Sequence, residues 1–212
     1  MENASIRIIF FDIGGVLLSD GWGHSVRKEA AKYFALDYEE MEFEHQFIFN
    51  VYEIGSITLD YYLDTVIFNR SRNFTREEFK DYMYAQSTEL PETLRWLKEW
   101  KGECGFRIIS INNEGRELNE YRVKKFKLNE CFDAFISSCE VNIRKPDPRI
   151  YKLAMGIAQA SPEECIYIDD RMVLVKAAQK QGIQSFHHRD FLSTKKMLEE
   201  LKNSNGRNRA LE

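Results

Sequence analysis

The second half of the chain alternates short apolar segments with amphipathic ones, and this alternation constrains the fold most strongly. The apolar segments are apolar on both faces, which is typical of strands buried in a parallel sheet, and helical periodicity separates them. The predicted strands are 105–111, 134–138, 165–169 and 183–187, and the predicted helices are 91–101, 115–127, 148–159 and 171–181. We therefore expect an α/β fold with helices covering a parallel sheet.

The preceding part of the chain is helical over a long stretch. Thr75 and Glu78 have the spacing of a capping box, and Gly55 is placed to end a helix. The predicted helices here are 25–36, 38–54, 58–69 and 75–87. We expect residues 18–90 to form a helical insert in a core made of 1–17 and 91–205, and residues 206–212 to form a disordered polar tail.

One acidic residue ends an apolar segment near the N-terminus. Asp12 follows Arg7-Ile-Ile-Phe-Phe and precedes Ile13-Gly14-Gly15. Glycines let the backbone approach a ligand and adopt conformations that other residues avoid. Asp12 is therefore a candidate nucleophile. The alternative is a strand-end acid that caps nearby amides.

Three further clusters of polar residues follow along the chain, and two of them lie at the ends of predicted strands. They are Ser110, then Lys145 in Arg-Lys-Pro-Asp-Pro, then the pair Asp169 and Asp170. In open parallel sheets, ligands bind at the carboxyl ends of the strands, where Asp12, Ser110 and Asp169 fall. Two adjacent carboxylates repel unless a cation or a basic group lies between them, and Mg²⁺ prefers oxygen ligands. The pattern indicates one active site with a divalent cation.

In this order, the four clusters resemble the motifs of the haloacid dehalogenase superfamily. The closest resemblance is to its phosphatases with a small helical cap, such as sugar-1-phosphate phosphatases and the phosphatase domain of soluble epoxide hydrolases. It covers the chain from Ile6 to about His187. It implies a Rossmann-like core with a C1-type cap, in which Asp12 forms an aspartyl-phosphate, Ser110 donates to a phosphoryl oxygen, and Lys145 supplies positive charge.

The resemblance also implies a metal site and substrate contacts. Asp12, the backbone carbonyl of Gly14, Asp169 and Asp170 would bind Mg²⁺, and of the acid pair we expect Asp169 to be the direct ligand. The expected substrate-binding residues are Gly14, Gly15, Trp22, Asn112 and Asn113.

Two of these expectations need a reason from the sequence. The family usually has Asn directly after the hydroxyl residue, whereas Ile111 separates Ser110 from Asn112, so Asn112 or Asn113 can share the role of Ser110. Trp22 lies between two glycines, and a mobile linker could close it over a substrate.

The chain departs from the family at Gly14. Family phosphatases usually carry there the acid that protonates the leaving oxygen and later activates water, a contribution of about 10²–10⁴ in rate. We therefore expect slow hydrolysis that favours good leaving groups, such as anomeric sugar phosphates, acyl phosphates or aryl phosphates.

Three functions remain in competition. The first is Mg²⁺-dependent hydrolysis of a small phosphorylated metabolite. The second is a phosphate-binding module with weak catalysis, which would bind phosphate or Mg²⁺ without turnover. The third is metal-independent haloacid dehalogenation, which the pair of Asp169 and Asp170 disfavours and which a chelator would not inhibit.

Composition indicates which classes of partner and which cellular compartment to expect for this chain. The chain has 34 acidic and 30 basic residues, without the excess of positive charge that nucleic acids attract. Its early apolar run contains Asp12 and has no small-residue cleavage pattern after it, so we expect neither a signal peptide nor a membrane span. Its four cysteines form no CxxC pair, which favours buried free thiols and a cytoplasmic location.

Overall fold

Five parallel strands form a single sheet in the computed structural model, which describes residues 5–209 and side chains up to residue 205. The strands are β1 (Ile8–Phe11), β2 (Arg107–Asn112), β3 (Ala134–Ser137), β4 (Cys165–Asp169) and β5 (Gln184–His187). Their order across the sheet is β3-β2-β1-β4-β5. The predicted Rossmann-like α/β fold is confirmed.

The register of the central strands brings their carboxyl ends together. Phe11 pairs with Ser110 on one side and with Ile168 on the other. The backbone N–H of Asp12 then donates to the carbonyl of Ile168, at 2.9 Å. Asp12 and Asp169, which follow the paired residues Phe11 and Ile168, therefore lie at the same edge of the sheet.

Four helices form the insert between β1 and the rest of the core. They are α1 (His24–Tyr33), α2 (Tyr38–Glu53), α3 (Leu59–Val66) and α4 (Arg76–Ala85). The side chains of Asp37, Thr58 and Thr75 cap α2, α3 and α4, and the predicted capping box at Thr75 and Glu78 is present. The helices share a hydrophobic cluster rich in aromatic residues, because their apolar faces turn toward one another.

The two ends of this insert lie side by side. Leu18 and Glu89 form an antiparallel bridge. The N–H of Ser19 donates to the carbonyl of Thr88 at 2.8 Å, and the N–H of Leu90 donates to the carbonyl of Leu17 at 2.9 Å. The chain thus leaves and re-enters the core through one hydrogen-bonded pair of segments.

Within residues 5–209, six further α-helices follow the insert. They are α5 (Pro91–Lys101), α6 (Arg116–Lys125), α7 (Ser138–Val141), α8 (Pro148–Ala158), α9 (Met172–Gln179) and α10 (Phe191–Arg209). Ile8 and Phe10 of β1 lie in one hydrophobic cluster with residues of α8 and α9, whereas Ile9 and Phe11 lie in another with residues of α5 and α10. Both faces of the sheet are covered, which explains why its strands are apolar on both sides.

The C-terminal prediction was wrong for part of the tail. Residues 206–209, which the polar composition predicts to be disordered, continue α10, while residues 210–212 lie outside the described part of the chain. Leu198 and Thr194 bury this helix against the core, and the Asn205 amide donates to the carbonyl of Ile6. The buried residue Leu198 and the partly buried Met197 and Leu201 thus hold a helix whose C-terminal turns are polar.

Two further expectations concern the whole chain. All four cysteines are buried free thiols, as predicted. Among the described residues, every helix is too short or too polar to cross a membrane.

Candidate active site

A buried lysine joins two of the predicted acids. The Nζ of Lys145 lies 2.9 Å from Asp12 Oδ1 and 2.9 Å from Asp169 Oδ2, and its side chain is 1% exposed. Asn113 fixes the backbone of this lysine, because its amide Nδ2 donates to the Lys145 carbonyl at 2.9 Å and its Oδ1 accepts from the Lys145 N–H at 2.8 Å. The structure thus holds the ammonium rigidly against Asp12.

Asp169 is occupied by hydrogen bonds within the protein. Its Oδ2 accepts from the hydroxyl of Tyr167 as well as from Lys145, and its Oδ1 accepts from the Arg171 N–H at 2.8 Å. Its side chain is fully buried. Asp169 is therefore arranged to orient Lys145, with little freedom to bind anything else.

Unlike Asp169, Asp170 has an oxygen atom that the described residues leave without a hydrogen bond. One oxygen from each of Asp12, Asp169 and Asp170 lies within 4.8 Å of the others, and Asp170 Oδ1 is buried without a hydrogen-bond partner in the described part of the chain. Such an oxygen is costly unless a ligand satisfies it. The geometry thus favours Asp170 over Asp169 as the direct metal ligand, the reverse of the sequence-based expectation.

Gly15 makes the position of Asp170 possible. A Cβ at Gly15 would lie 2.3 Å from Asp170 Oδ2, and the glycine has a φ of +70°. Gly15 was expected to contact substrate, but it lies against Asp170 and outside the lining of the cavity that contains Asp12. Asp170 can occupy its position only because residue 15 has no side chain.

The net negative charge of this cluster favours the binding of a cation. Asp12, Asp169 and Asp170 bring three carboxylates against the single ammonium of Lys145. Burial raises the pKa of Asp12 to about 6, against the lowering effect of Lys145, and burial together with Asp169 raises the pKa of Asp170. A hard divalent cation would satisfy both the excess charge and the unpartnered Asp170 oxygen, so these residues fit Mg²⁺.

A cavity of about 360 Å³ opens in front of Asp12. Of the predicted site residues, Asp12, Gly14, Trp22, Lys145, Asn112 and Asn113 line it. Ser110 does not line it: its side chain is fully buried and its Oγ has no hydrogen-bond partner in the described chain. The reason is that β2 continues to Asn112, so Ser110 lies within the sheet instead of at its end.

Asn112 and Trp22 reach the cavity but are held by other contacts. The amide of Asn112 donates to Asn119 Oδ1 at 3.0 Å and accepts from the hydroxyl of Ser137 at 2.9 Å. Trp22 is 3% exposed, and its indole N–H donates to the hydroxyl of Tyr62 at 2.9 Å. Trp22 thus lies in the cavity wall, where a hydrogen bond joins it to α3.

Several ion pairs complete the cavity wall, and sequence reasoning did not identify them. Arg122 Nη1 lies 2.5 Å from Glu114 Oε2, and Arg144 Nε lies 2.7 Å from Glu53 Oε2 at the end of α2. Burial raises the pKa of Glu114 to about 7, although Arg122 opposes the shift. No periodic signal marks such pairs, because the fold brings their members together from different elements. Tyr167 was also missed, although it shares a face of β4 with Asp169 at the i, i+2 spacing of strands.

Comparison with known proteins places the chain among hydrolases. The family model described as haloacid dehalogenase-like hydrolase matches residues 6–182. Flavin mononucleotide hydrolase 1 of Arabidopsis thaliana is 26% identical over 84% of the chain and 70% of its own length. Bifunctional epoxide hydrolase 2 of Rattus norvegicus is 35% identical over 35% of the chain, a match that spans only 14% of that protein.

A solved structure shares the fold. An enzyme of this family from Bacteroides thetaiotaomicron, in complex with magnesium and inorganic phosphate, superimposes with a TM-score of 0.76 over 87% of the chain and 95% of its own. The sequence identity is 22%. At that identity, the likeness concerns the fold alone.

Proposed function

Because the chain belongs to the haloacid dehalogenase-like hydrolases, we propose that it hydrolyses a small phosphorylated metabolite with the help of Mg²⁺, through an aspartyl-phosphate on Asp12. The observation that carries this proposal is the placement of Asp12 in a cavity, with its Oδ1 2.9 Å from a buried ammonium and near an Asp170 oxygen that has no hydrogen-bond partner among residues 5–205. A nucleophile, a fixed positive charge and a cation site are the parts that phosphoryl transfer requires.

Asp12 has one oxygen held and one available. Its Oδ1 accepts from the Ile13 N–H at 2.8 Å and lies against Lys145, whereas no described residue donates a hydrogen bond to its Oδ2. Oδ2 is therefore the atom that attacks phosphorus. Lys145 keeps its ammonium near the reacting oxygens and offsets the repulsion between an anionic substrate and an acidic site.

Asp12, Asp170 and the carbonyl of Gly14 would hold Mg²⁺, which when bound supplies positive charge to the phosphoryl oxygens. Asp169 and Tyr167 act one layer behind, because Asp169 accepts from Lys145 and Tyr167 in turn donates to Asp169. Asn113 holds the backbone of the same lysine. The rigid lysine lets the site stabilise charge without reorganising during the reaction.

The helical insert is the proposed lid that selects substrate. In this division, residues 18–90 form the cap, and residues 1–17 and 91–205 form the core. Trp22 and Arg27 from the insert line the same cavity as Asp12, and the volume of about 360 Å³ supports a substrate of metabolite size. The buried free thiols are consistent with a reducing compartment such as the cytoplasm.

The proposal is tested by hydrolysis of 4-nitrophenyl phosphate. Wild type and Asp12→Asn are assayed with Mg²⁺ and with a chelator, and Asp81→Asn, an exposed acid on α4, serves as the matched control. We expect wild type and D81N to turn over only with Mg²⁺, and D12N to be inactive although it folds.

Two other results would reject the proposal. A folded wild-type protein that binds Mg²⁺ or phosphate without any turnover would indicate a binding module. Chelator-resistant release of chloride from 2-chloropropionate, dependent on Asp12, would indicate a dehalogenase.

A further inference from the structure

Gly14 lies beside Asp20 in the lining of the cavity that contains Asp12. A Cβ built at this position would have no atom of a non-adjacent residue closer than 3.9 Å, and the atoms at that distance are the Cα and Oδ1 of Asp20 and the carbonyl oxygen of Ser19. The space that an acidic side chain at residue 14 would enter is therefore bounded by the carboxylate of Asp20. Asp20 lines the same cavity as Asp12.

The backbone that carries Asp20 is firmly held. The N–H of Ser19 donates to the Thr88 carbonyl at 2.8 Å, and the hydroxyl of Ser19 donates to the Gln86 carbonyl at 3.0 Å. The guanidinium of Arg122 donates to the Ser19 carbonyl at 2.5 Å. Asp20 thus follows an anchored residue, and its carboxylate is presented to the cavity by a fixed turn.

Asp20 also differs from the other carboxylates of the cavity wall. Glu114 and Glu53 are each in direct contact with an arginine, at 2.5 Å and 2.7 Å. The nearest cation to Asp20 is Arg171, whose Nη2 lies 3.5 Å away, and the Asp20 side chain is half exposed. Among residues 5–205, no side chain or backbone N–H donates a hydrogen bond to its carboxylate, which leaves its oxygens accessible to substrate and water.

We propose that Asp20 is the general acid and base of this site, in the role that the glycine at position 14 cannot perform. This inference rests on the proposed phosphatase function. As the bond between Asp12 and phosphorus forms and the bond to the leaving oxygen breaks, the Asp20 carboxylic acid gives its proton to that oxygen. Its carboxylate then takes a proton from the water that attacks phosphorus and releases Asp12 and inorganic phosphate.

The test compares Asp20→Asn with wild type on two substrates. With glycerol 3-phosphate, whose leaving group needs a proton, we expect kcat/KM to fall by about 10²–10⁴. With 4-nitrophenyl phosphate, we expect kcat/KM to fall less than about tenfold, since this leaving group departs unprotonated. D20N should also release a burst of nitrophenolate equal to the enzyme concentration, because the aspartyl-phosphate then awaits an unassisted water. D81N should match wild type on both substrates.

A second variant tests whether an acid at residue 14 can replace the acid at residue 20. Gly14→Asp combined with D20N should restore kcat/KM on glycerol 3-phosphate, because a Cβ at residue 14 would have no non-adjacent atom closer than 3.9 Å and would lie beside the position of the residue 20 side chain. A folded double variant that stays inactive on this substrate, or a D20N variant that loses activity equally on both substrates or on neither, would overturn the role of Asp20. Absence of turnover by wild type on both substrates would instead reject the phosphatase function, and this inference with it.

Discussion

Gly15 shows how a residue without a side chain controls a charged one. Its positive φ is a conformation that residues with a Cβ rarely adopt, and the space beside it is filled by the Asp170 carboxylate. A methyl group here would displace either the turn after β1 or the acid. The position of the Asp170 carboxylate, which is the best suited to bind a cation, thus requires glycine at residue 15.

We expect Gly15→Ala to weaken Mg²⁺ binding at least tenfold and to destabilise the protein by about 1–3 kcal/mol, because strain at positive φ adds to the collision. Calorimetric titration with Mg²⁺ and chemical denaturation measure the two effects. Gly156→Ala is the control, since a Cβ at this exposed position of α8 would meet nothing within 4 Å. A G15A variant with the Mg²⁺ affinity of wild type would contradict the role given to this glycine.

At the same scale, the sequence identifies chemical groups better than their contacts. Asp12, Asp169 and Asp170 could be predicted to meet because strand ends converge at one edge of a parallel sheet. Ser110 could not be placed, since its position depends on whether β2 ends before or after Asn112. Lys145 lies outside the strands, and only the family resemblance pointed to its contact with Asp12.

At the scale of the elements, buried hydrogen bonds connect Trp22, at the start of the insert, with α3 and α2. The hydroxyl of Tyr62 accepts from the Trp22 indole at 2.9 Å and lies 2.8 Å from His45 Nδ1. Since the indole can only donate, the Tyr62 oxygen accepts from Trp22 and the Tyr62 proton is available to Nδ1 of a neutral His45. This arrangement requires a neutral imidazole, and burial lowers the pKa of His45 to about 4.

The pKa of His45 predicts how stability depends on pH. Between its ordinary value near 6.5 and about 4, the unfolded chain binds a proton that the folded protein excludes, so the free energy of unfolding falls as the pH falls through this range. We expect a loss of up to ~3 kcal/mol from this group. His45→Gln should show a smaller decline in urea denaturation between pH 7 and pH 4, whereas exposed His24→Gln should follow wild type. Parallel curves for all three proteins would disprove the assignment.

The elements themselves could be predicted closely where periodicity is strong. Each predicted core strand, 105–111 for example, agrees with the observed one within two residues, because a strand buried on both faces is apolar throughout. The C-terminal helix α10 was not predicted, since it buries few residues and continues through the polar tail. Packing against the core, which no local pattern encodes, decides its conformation.

For the whole molecule, the excess negative charge around Asp12 links metal binding to folding. Repulsion from Asp169 and burial oppose the ionisation of Asp170 in the folded protein, whereas Asp169 has Lys145 and Tyr167 as partners. A cation that binds only the folded state stabilises it, by about 2.7 kcal/mol when its concentration is a hundred times its dissociation constant. The metal-free protein should therefore be less stable than the loaded one.

Two neighbouring substitutions should separate these effects. We expect Asp170→Asn to leave metal-free stability unchanged or higher and to abolish the gain from Mg²⁺, because it removes an unpartnered charge. Asp169→Asn should lower metal-free stability by at least about 1 kcal/mol, because it weakens the contacts of buried Lys145. Urea denaturation with a chelator and with saturating Mg²⁺ measures both, and identical behaviour of the two variants would refute the distinction.

The paired segments at Leu18 and Glu89 have a consequence for how such a protein can change over evolutionary time. Because the insert begins and ends at adjacent points, its length and composition can vary without altering the path of the chain through the sheet. A different group of helices could be exchanged at this junction while the strand order and the carboxylates at the strand ends are inherited unchanged. The insert and the carboxylates at the strand ends can therefore change independently of each other.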